Sequence, residues 1–83
     1  MVFKCKEQIK PEELAAKLAK DLGLEARGTV LFFGNHYFSA IRKFDKNGIR
    51  LLFSVPNDKK EFRIIGQKAK RLPYLKLYLT FKS

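Results

Sequence analysis

Asp58-Lys59-Lys60-Glu61-Phe62-Arg63-Ile64-Ile65-Gly66-Gln67-Lys68-Ala69-Lys70-Arg71-Leu72 is the stretch on which the fold turns. Read as a helix, it places Phe62, Ile65, Ala69 and Leu72 on one face, and Asp58 with Glu61 suits a capping box at its start. Read as a strand, it alternates Phe62 and Ile64 with Glu61 and Arg63. Gly66 weighs against the helix, where glycine costs about 1 kcal/mol relative to alanine. The reading adopted is a short strand at 61–65 and a turn or short helix at 66–72, with Pro73 ending whatever precedes it.

Downstream, Leu75, Leu77, Leu79 and Phe81 alternate with Tyr74, Lys76, Tyr78, Thr80 and Lys82. That period of two predicts a strand with one apolar face laid on a core and one face of tyrosine and lysine. Upstream, Asp45-Lys46-Asn47-Gly48 reads as a hairpin turn between strands at Tyr37–Phe44 and Ile49–Val55, with Gly48 where positive φ is needed. Thr29 to Phe33 is β-branched and aromatic, a further strand, and Gly34-Asn35 is the turn that follows it.

The first third of the chain is helical in character. Pro11 suits a first helical turn, Glu12 and Glu13 favour its positive end, and Leu14, Leu18 and Leu22 share a face. Gly23 is placed to stop this helix in the left-handed conformation, with Leu24 folding back on the last turn. Before it, Val2 to Lys6 alternates as a short strand, with Phe3 and Cys5 facing one way and Lys4 and Lys6 the other.

Composition bounds the rest. Eighty-three residues make one small basic α+β domain, 1–83, and the 46% hydrophobic content with eight Phe is enough for a core. One cysteine, Cys5, excludes an internal disulfide and points to a reducing, cytoplasmic setting. No apolar run is long enough for a membrane span, and Met1 to Lys10 lacks the apolar core of a signal peptide. No P-loop, G-x-G-x-x-G, close acidic pair or metal-ligand spacing occurs, so no cofactor or metal is expected.

Charge is unevenly spread. Residues 1–27 carry six Lys/Arg and five Asp/Glu, whereas residues 28–83 carry twelve Lys/Arg against Asp45, Asp58 and Glu61. Like charge concentrated on a small domain repels itself and attracts a polyanion. Nucleic acid, RNA in preference, is the expected partner; a solvated lysine-rich surface is the plain alternative. Arg42, Lys43, Lys59, Lys60, Arg63, Lys68, Lys70, Arg71 and Lys76 are the candidate phosphate contacts, and Tyr74 and Tyr78 the candidate stacking residues. His36 is the sole histidine and the one side chain suited to proton transfer near neutral pH; as a general base it could draw the proton from a ribose 2′-OH. A structural or surface role for a lone histidine stands beside that reading. Cys5 and His36 as a nucleophile pair is disfavoured, because Cys5 falls on the apolar phase of its strand.

Taken in order, Pro11-Glu12-Glu13-Leu14 through Leu22-Gly23-Leu24, Gly34-Asn35-His36-Tyr37, and Val55-Pro56-Asn57-Asp58-Lys59-Lys60-Glu61-Phe62 through Ile65-Gly66 resemble the HicA family of small mRNA-interferase toxins over roughly residues 10–72. Asn35 stands where that family carries Ser or Thr. The resemblance implies a double-stranded-RNA-binding-like fold, a metal-independent endoribonuclease with His36 as its catalytic histidine, and an antitoxin protein covering the site.

The expectation is therefore an α+β domain whose N-terminal helix packs on an antiparallel sheet of four to five strands, with an added C-terminal strand. A nucleic-acid-binding module, a HicA-like ribonuclease and a basic protein-interaction module remain open as functions. A homodimer is expected to form, if at all, through a strand edge at 2–6 or 74–82.

Overall fold

The computed structural model describes residues 1–45 and 48–79. The chain runs β1 (Val2–Cys5), α1 (Pro11–Leu22), β2 (Glu25–Arg27), β3 (Val30–Phe33), β4 (His36–Ala40), β5 (Arg42–Lys43), β6 (Leu51–Ser54), α2 (Lys60–Lys70) and β7 (Leu75–Leu79). The strands make two antiparallel sheets, one in the order β5-β6-β1-β7 and one in the order β2-β3-β4. The α+β class is as expected, but the single sheet of four to five strands is corrected to two.

Helix α1 follows its sequence signals closely. Pro11 occupies its first turn, and Gly23 closes it at φ 70°, donating its amide to the Ala19 carbonyl. Leu24 then folds back, its amide 3.0 Å from the same carbonyl. Leu14, Ala15, Leu18 and Leu22 turn inward.

The disputed stretch is a helix, not a strand with a turn. α2 buries Phe62, Ile65, Gly66 and Ala69, and its N-cap is Lys59 with no side-chain cap, so the Asp58–Glu61 capping box does not form. Two tertiary contacts explain the outcome. The Phe62 ring meets Phe38 and Phe33 edge-on, at 5.1 and 6.0 Å between centroids. Gly66 faces the core, where a β-carbon would meet the Met1 Cε and crowd Val55. The glycine that argued against a helix is the residue that lets this one approach Met1 and Val55.

Two other strand readings change. The stretch 37–44 is not one strand: Ile41 separates β4 from β5, its amide held 2.8 Å from the Thr29 carbonyl. The chain thus leaves the three-stranded sheet and joins the four-stranded one. Ser39, buried beside this crossing, accepts the Ser54 amide through its Oγ at 3.3 Å and ties the sheets together. In the 45–48 turn, Gly48 has the expected positive φ of 75°; Lys46 and Asn47 lie outside the described residues. The hairpin it joins pairs Arg42 with Leu52 and Lys43 with Leu51.

β1 lies between β6 and β7, so residues 2–6 are central rather than an edge; β7 is an edge. The Met1 amine and carbonyl exchange hydrogen bonds with Val55, at 3.0 and 2.7 Å, and extend the β1–β6 ladder. With α1 after β1 and α2 between β6 and β7, the four-stranded sheet has the β-α-β-β-α-β connectivity of the split βαβ motif. The three-stranded sheet is inserted between α1 and β5.

Phe3 and Phe53, stacked at 5.4 Å, centre the core, together with Cys5, Leu51 and Leu75 from the same sheet. Leu31 and Phe38 join from the other sheet, and both helices from above. No helix among the described residues is long and apolar enough to cross a membrane.

Candidate nucleic-acid interface

Strand alternation gives the four-stranded sheet two chemically opposite faces. Phe3, Cys5, Leu51, Phe53 and Leu75 point into the core beneath the helices. The residues between them point the other way, where neither helix packs. The pairings Arg42↔Leu52, Lys4↔Leu52 and Lys4↔Lys76 set Arg42, Leu52, Lys4 and Lys76 side by side in one row across all four strands. Ser54, Val2 and Leu79 are paired in the next row, with an irregularity in the β1–β7 register between Val2 and Phe3; Tyr78, at that irregularity, lines the same groove as Val2 and Leu52. None of these strands contains an Asp or Glu.

Like charges directly opposed across a strand pair are destabilising. Lys4 and Lys76 are so opposed, and Lys76 is exposed. Two concavities lie on this face. An open one of about 490 Å³ is lined by Lys4, Lys6 and Lys76 together with Gly48 and Ile49. A narrower one of about 270 Å³ is lined by Val2, Leu52, Phe53 and Leu79 together with Arg42, Ser54 and Tyr78.

The expected contact residues separate into groups. Arg42, Lys76 and Tyr78 belong to this sheet face. Lys43 is exposed on β5 at the sheet edge. Lys60, Arg63, Lys68 and Lys70 are exposed on α2, and Arg71 is its C-cap. These α2 cations line the side opposite its buried stripe and form a second basic surface. Lys59 stands at the N-cap with its Nζ 5.5 Å over the Phe62 ring.

Tyr74 is corrected as a stacking residue. It lies in the turn before β7, so the alternation does not reach it, and it is buried at 7% exposure. Its hydroxyl donates to the Asp21 carboxylate at 2.6 Å, and the Lys17 Nζ lies 4.9 Å over its ring. Burial first, and the Asp21 hydrogen bond second, hold its hydroxyl well above the usual phenol range. The apolar face expected along 75–81 is also only partly covered. Leu75 is buried, whereas Leu77 and Leu79 are 37% and 53% exposed; Thr80, Phe81 and Lys82 lie outside the described residues.

His36 opens β4 and is exposed. It lines a cleft of about 260 Å³ with Phe33, Lys59, Glu61 and Phe62, between the β3–β4 turn and the start of α2. The fold thus brings His36 beside Lys59, which are far apart in sequence, but places Arg42 and Lys43 in the other sheet. Cys5 is buried, and burial is the largest cause pushing its thiol above the ordinary value. That environment does not make a nucleophile.

Sequence reasoning missed Lys4 and Lys6 as interface residues. Their outward phase was legible, but their place in the middle of a basic face depends on β1 being a central strand. It also missed a small aromatic surface on the other sheet. Tyr37, 60% exposed, meets Phe32 edge-on at 6.5 Å, and the Arg27 guanidinium lies 4.6 Å over Phe32. Arg27 is also paired with Glu25 at 3.3 Å.

The fold and site define a small split-βαβ domain with one sheet face open and basic. No family model, curated protein or solved structure matches the chain.

Proposed function

We propose that this protein binds nucleic acid, RNA in preference, through the open face of the four-stranded sheet. The observation that carries the proposal is the row Arg42–Leu52–Lys4–Lys76, three cations abreast on a face with no carboxylate in its strands. Such an arrangement is unfavourable in the free protein and is relieved when phosphates enter and release their counterions. Tyr78 on the same face supports RNA, whose single-stranded regions present unstacked bases to aromatic side chains. The cations of α2 add a second line of contact.

The test is binding of labelled RNA as a function of salt. The expected result is a linear log–log loss of affinity with a slope of about −0.7 per phosphate contact for a single strand. An acidic protein that displaces nothing, while unlabelled RNA competes fully, separates this reading from that of a basic protein-interaction module; binding indifferent to competing RNA would favour the latter.

One observation favours a second reading, a HicA-like metal-independent endoribonuclease. The His36 cleft puts an imidazole beside the Lys59 ammonium and the Glu61 carboxylate. There His36 would take the 2′-OH proton and Lys59 would stabilise the charge on phosphorus. The order α1, three-stranded sheet, α2 supports the double-stranded-RNA-binding-like layout that belongs to this reading, with β5 and β6 interposed. An antitoxin partner would cover the cleft. Cleavage of RNA in EDTA by the parent but not by His36→Ala, with binding retained in both, supports it; no cleavage by the parent dismisses it.

A further inference from the structure

We infer that the groove over Val2 and Leu52 holds one unpaired base of a single-stranded nucleic acid, stacked on Tyr78, while Lys4 and Lys76 hold the adjoining phosphates. The inference deepens the nucleic-acid reading and rests on it; it names the strandedness of the ligand and the residue that senses the base.

Three features point to a base rather than to backbone alone. The groove is lined mostly by apolar residues, Val2, Leu52, Phe53 and Leu79, on a face otherwise lined by cations. A bare phosphate gains nothing from Val2 and Leu52, whereas a flat heterocycle covers them. Tyr78 is 38% exposed and forms one wall, so its ring has a free surface for stacking. Arg42, Ser54 and Tyr78, which line the same groove, carry hydrogen-bonding groups suited to the edge of a base.

Spacing fits as well. Tyr78 and Lys76 are two residues apart on one face of β7, about 7 Å along the strand. That is the reach from a base across its ribose to its own phosphate. The open concavity ringed by Lys4, Lys6 and Lys76 continues in that direction. A duplex keeps its bases stacked inside and cannot offer one to the groove, so the site selects single strands. The cation row also argues against an apolar peptide or a second copy of this chain, which carries a net charge of +10.

The chain contains no Trp, so Tyr78→Trp creates a single indole reporter at the site. The titrants are a single-stranded oligoribonucleotide, the same strand in a duplex, and inorganic polyphosphate as a base-free polyanion. The single strand is expected to quench the indole, while polyphosphate binds without comparable quenching. Tyr78→Ala is expected to weaken single-strand binding about ten-fold, in the range of one lost base stack, and to leave polyphosphate affinity unchanged. A circular dichroism spectrum and unfolding curve matching the parent show that the variant is folded.

Equal quenching by polyphosphate and RNA, or undiminished RNA binding by Tyr78→Ala, overturns the base pocket and leaves the nucleic-acid reading standing. Equal affinity for duplex and single strand overturns it too. An indole signal that changes with protein concentration alone would assign the groove to a second copy of the chain. Failure to bind any of the three titrants removes both the pocket and the reading on which it rests.

Discussion

The two faces of the four-stranded sheet are built from the same strands and differ only in the phase of alternation. On the inner face Phe3 stacks on Phe53 within a cluster of buried apolar side chains. On the outer face, one residue along, Lys4 opposes Lys76 and Arg42 lies beyond Leu52. The inner face gains by excluding water; the outer face gives up stability to keep like charges close. A domain this small has little stability to spare. The difference teaches that the two faces answer to different demands, the inner one to folding and the outer one, on the proposed reading, to a polyanion.

The sharpest way to break this contrast is at the centre of the inner face. Phe53→Ala is expected to cost about 3–5 kcal/mol in denaturant unfolding, because it removes a fully buried ring and its stacking on Phe3. RNA binding should fall in this variant only to the extent that the chain unfolds, measured at matched folded fractions.

Tyr74 tests the boundary between the faces. It was expected outside and sits inside, so Tyr74→Phe should cost about 1.5–3 kcal/mol, the range for a hydrogen bond to a charged group. It should not alter affinity for RNA. A pH profile adds the sign. The folded chain keeps the phenol proton to higher pH than the unfolded chain does. That contribution is complete below about pH 10, the unfolded phenol value, and is lost as pH rises above it. The parent should therefore lose stability above pH 10 more steeply than Tyr74→Phe, as followed by circular dichroism.

On the outer face, replacing Lys4 and Lys76 together by Ala should reverse the pattern. Affinity for single-stranded RNA in 0.1 M salt should fall roughly 10- to 30-fold, and the salt slope should shrink by about 1.4, corresponding to two phosphate contacts. Stability should stay within about 0.5 kcal/mol or rise, since an opposed like-charge pair is removed. An unchanged salt slope would move the interface to α2.

A small effect is expected of Gly66→Ala. Gly66→Ala gains about 1 kcal/mol of helix propensity and loses most of it by displacing the Met1 methyl, for a net change within about 1 kcal/mol. Gly66→Leu cannot be absorbed that way and should cost about 1–3 kcal/mol by overpacking against Met1 and Val55, read from the same unfolding curves.

Legibility followed the range of the interactions. α1, its Pro11 start and its Gly23 stop were readable because every signal lies within one turn of the residue it governs. The β5–β6 pairing was readable because its partners, Arg42 with Leu52 and Lys43 with Leu51, flank a single turn. α2 was misread because the local evidence was balanced and Gly66 tipped it towards a strand; contacts of Phe62 with Phe33 and Phe38, and of Gly66 with Met1, decide it across the molecule. β2 was missed: Glu25, Ala26 and Arg27 alone carry no strand pattern, and only pairing with β3 orders them. Of the candidate site, Arg42, Lys76, Tyr78 and the α2 cations were visible, but Lys4 and Lys6 were not, nor was the division of the cations between a sheet face, a helix surface and the His36 cleft.

By itself the sequence determined the alternation of β1, β6 and β7, the amphipathic stripe of α1 and the surplus of cations after residue 28, since composition and short periods are properties of the chain alone. Only the tertiary structure decided that β1 is the central strand, that α2 is a helix, that Tyr74 turns inward and that Lys4 meets Lys76. Each of these depends on which distant segments come together, and the energies that bring them together arise from burial and pairing across the fold rather than from any local run of residues.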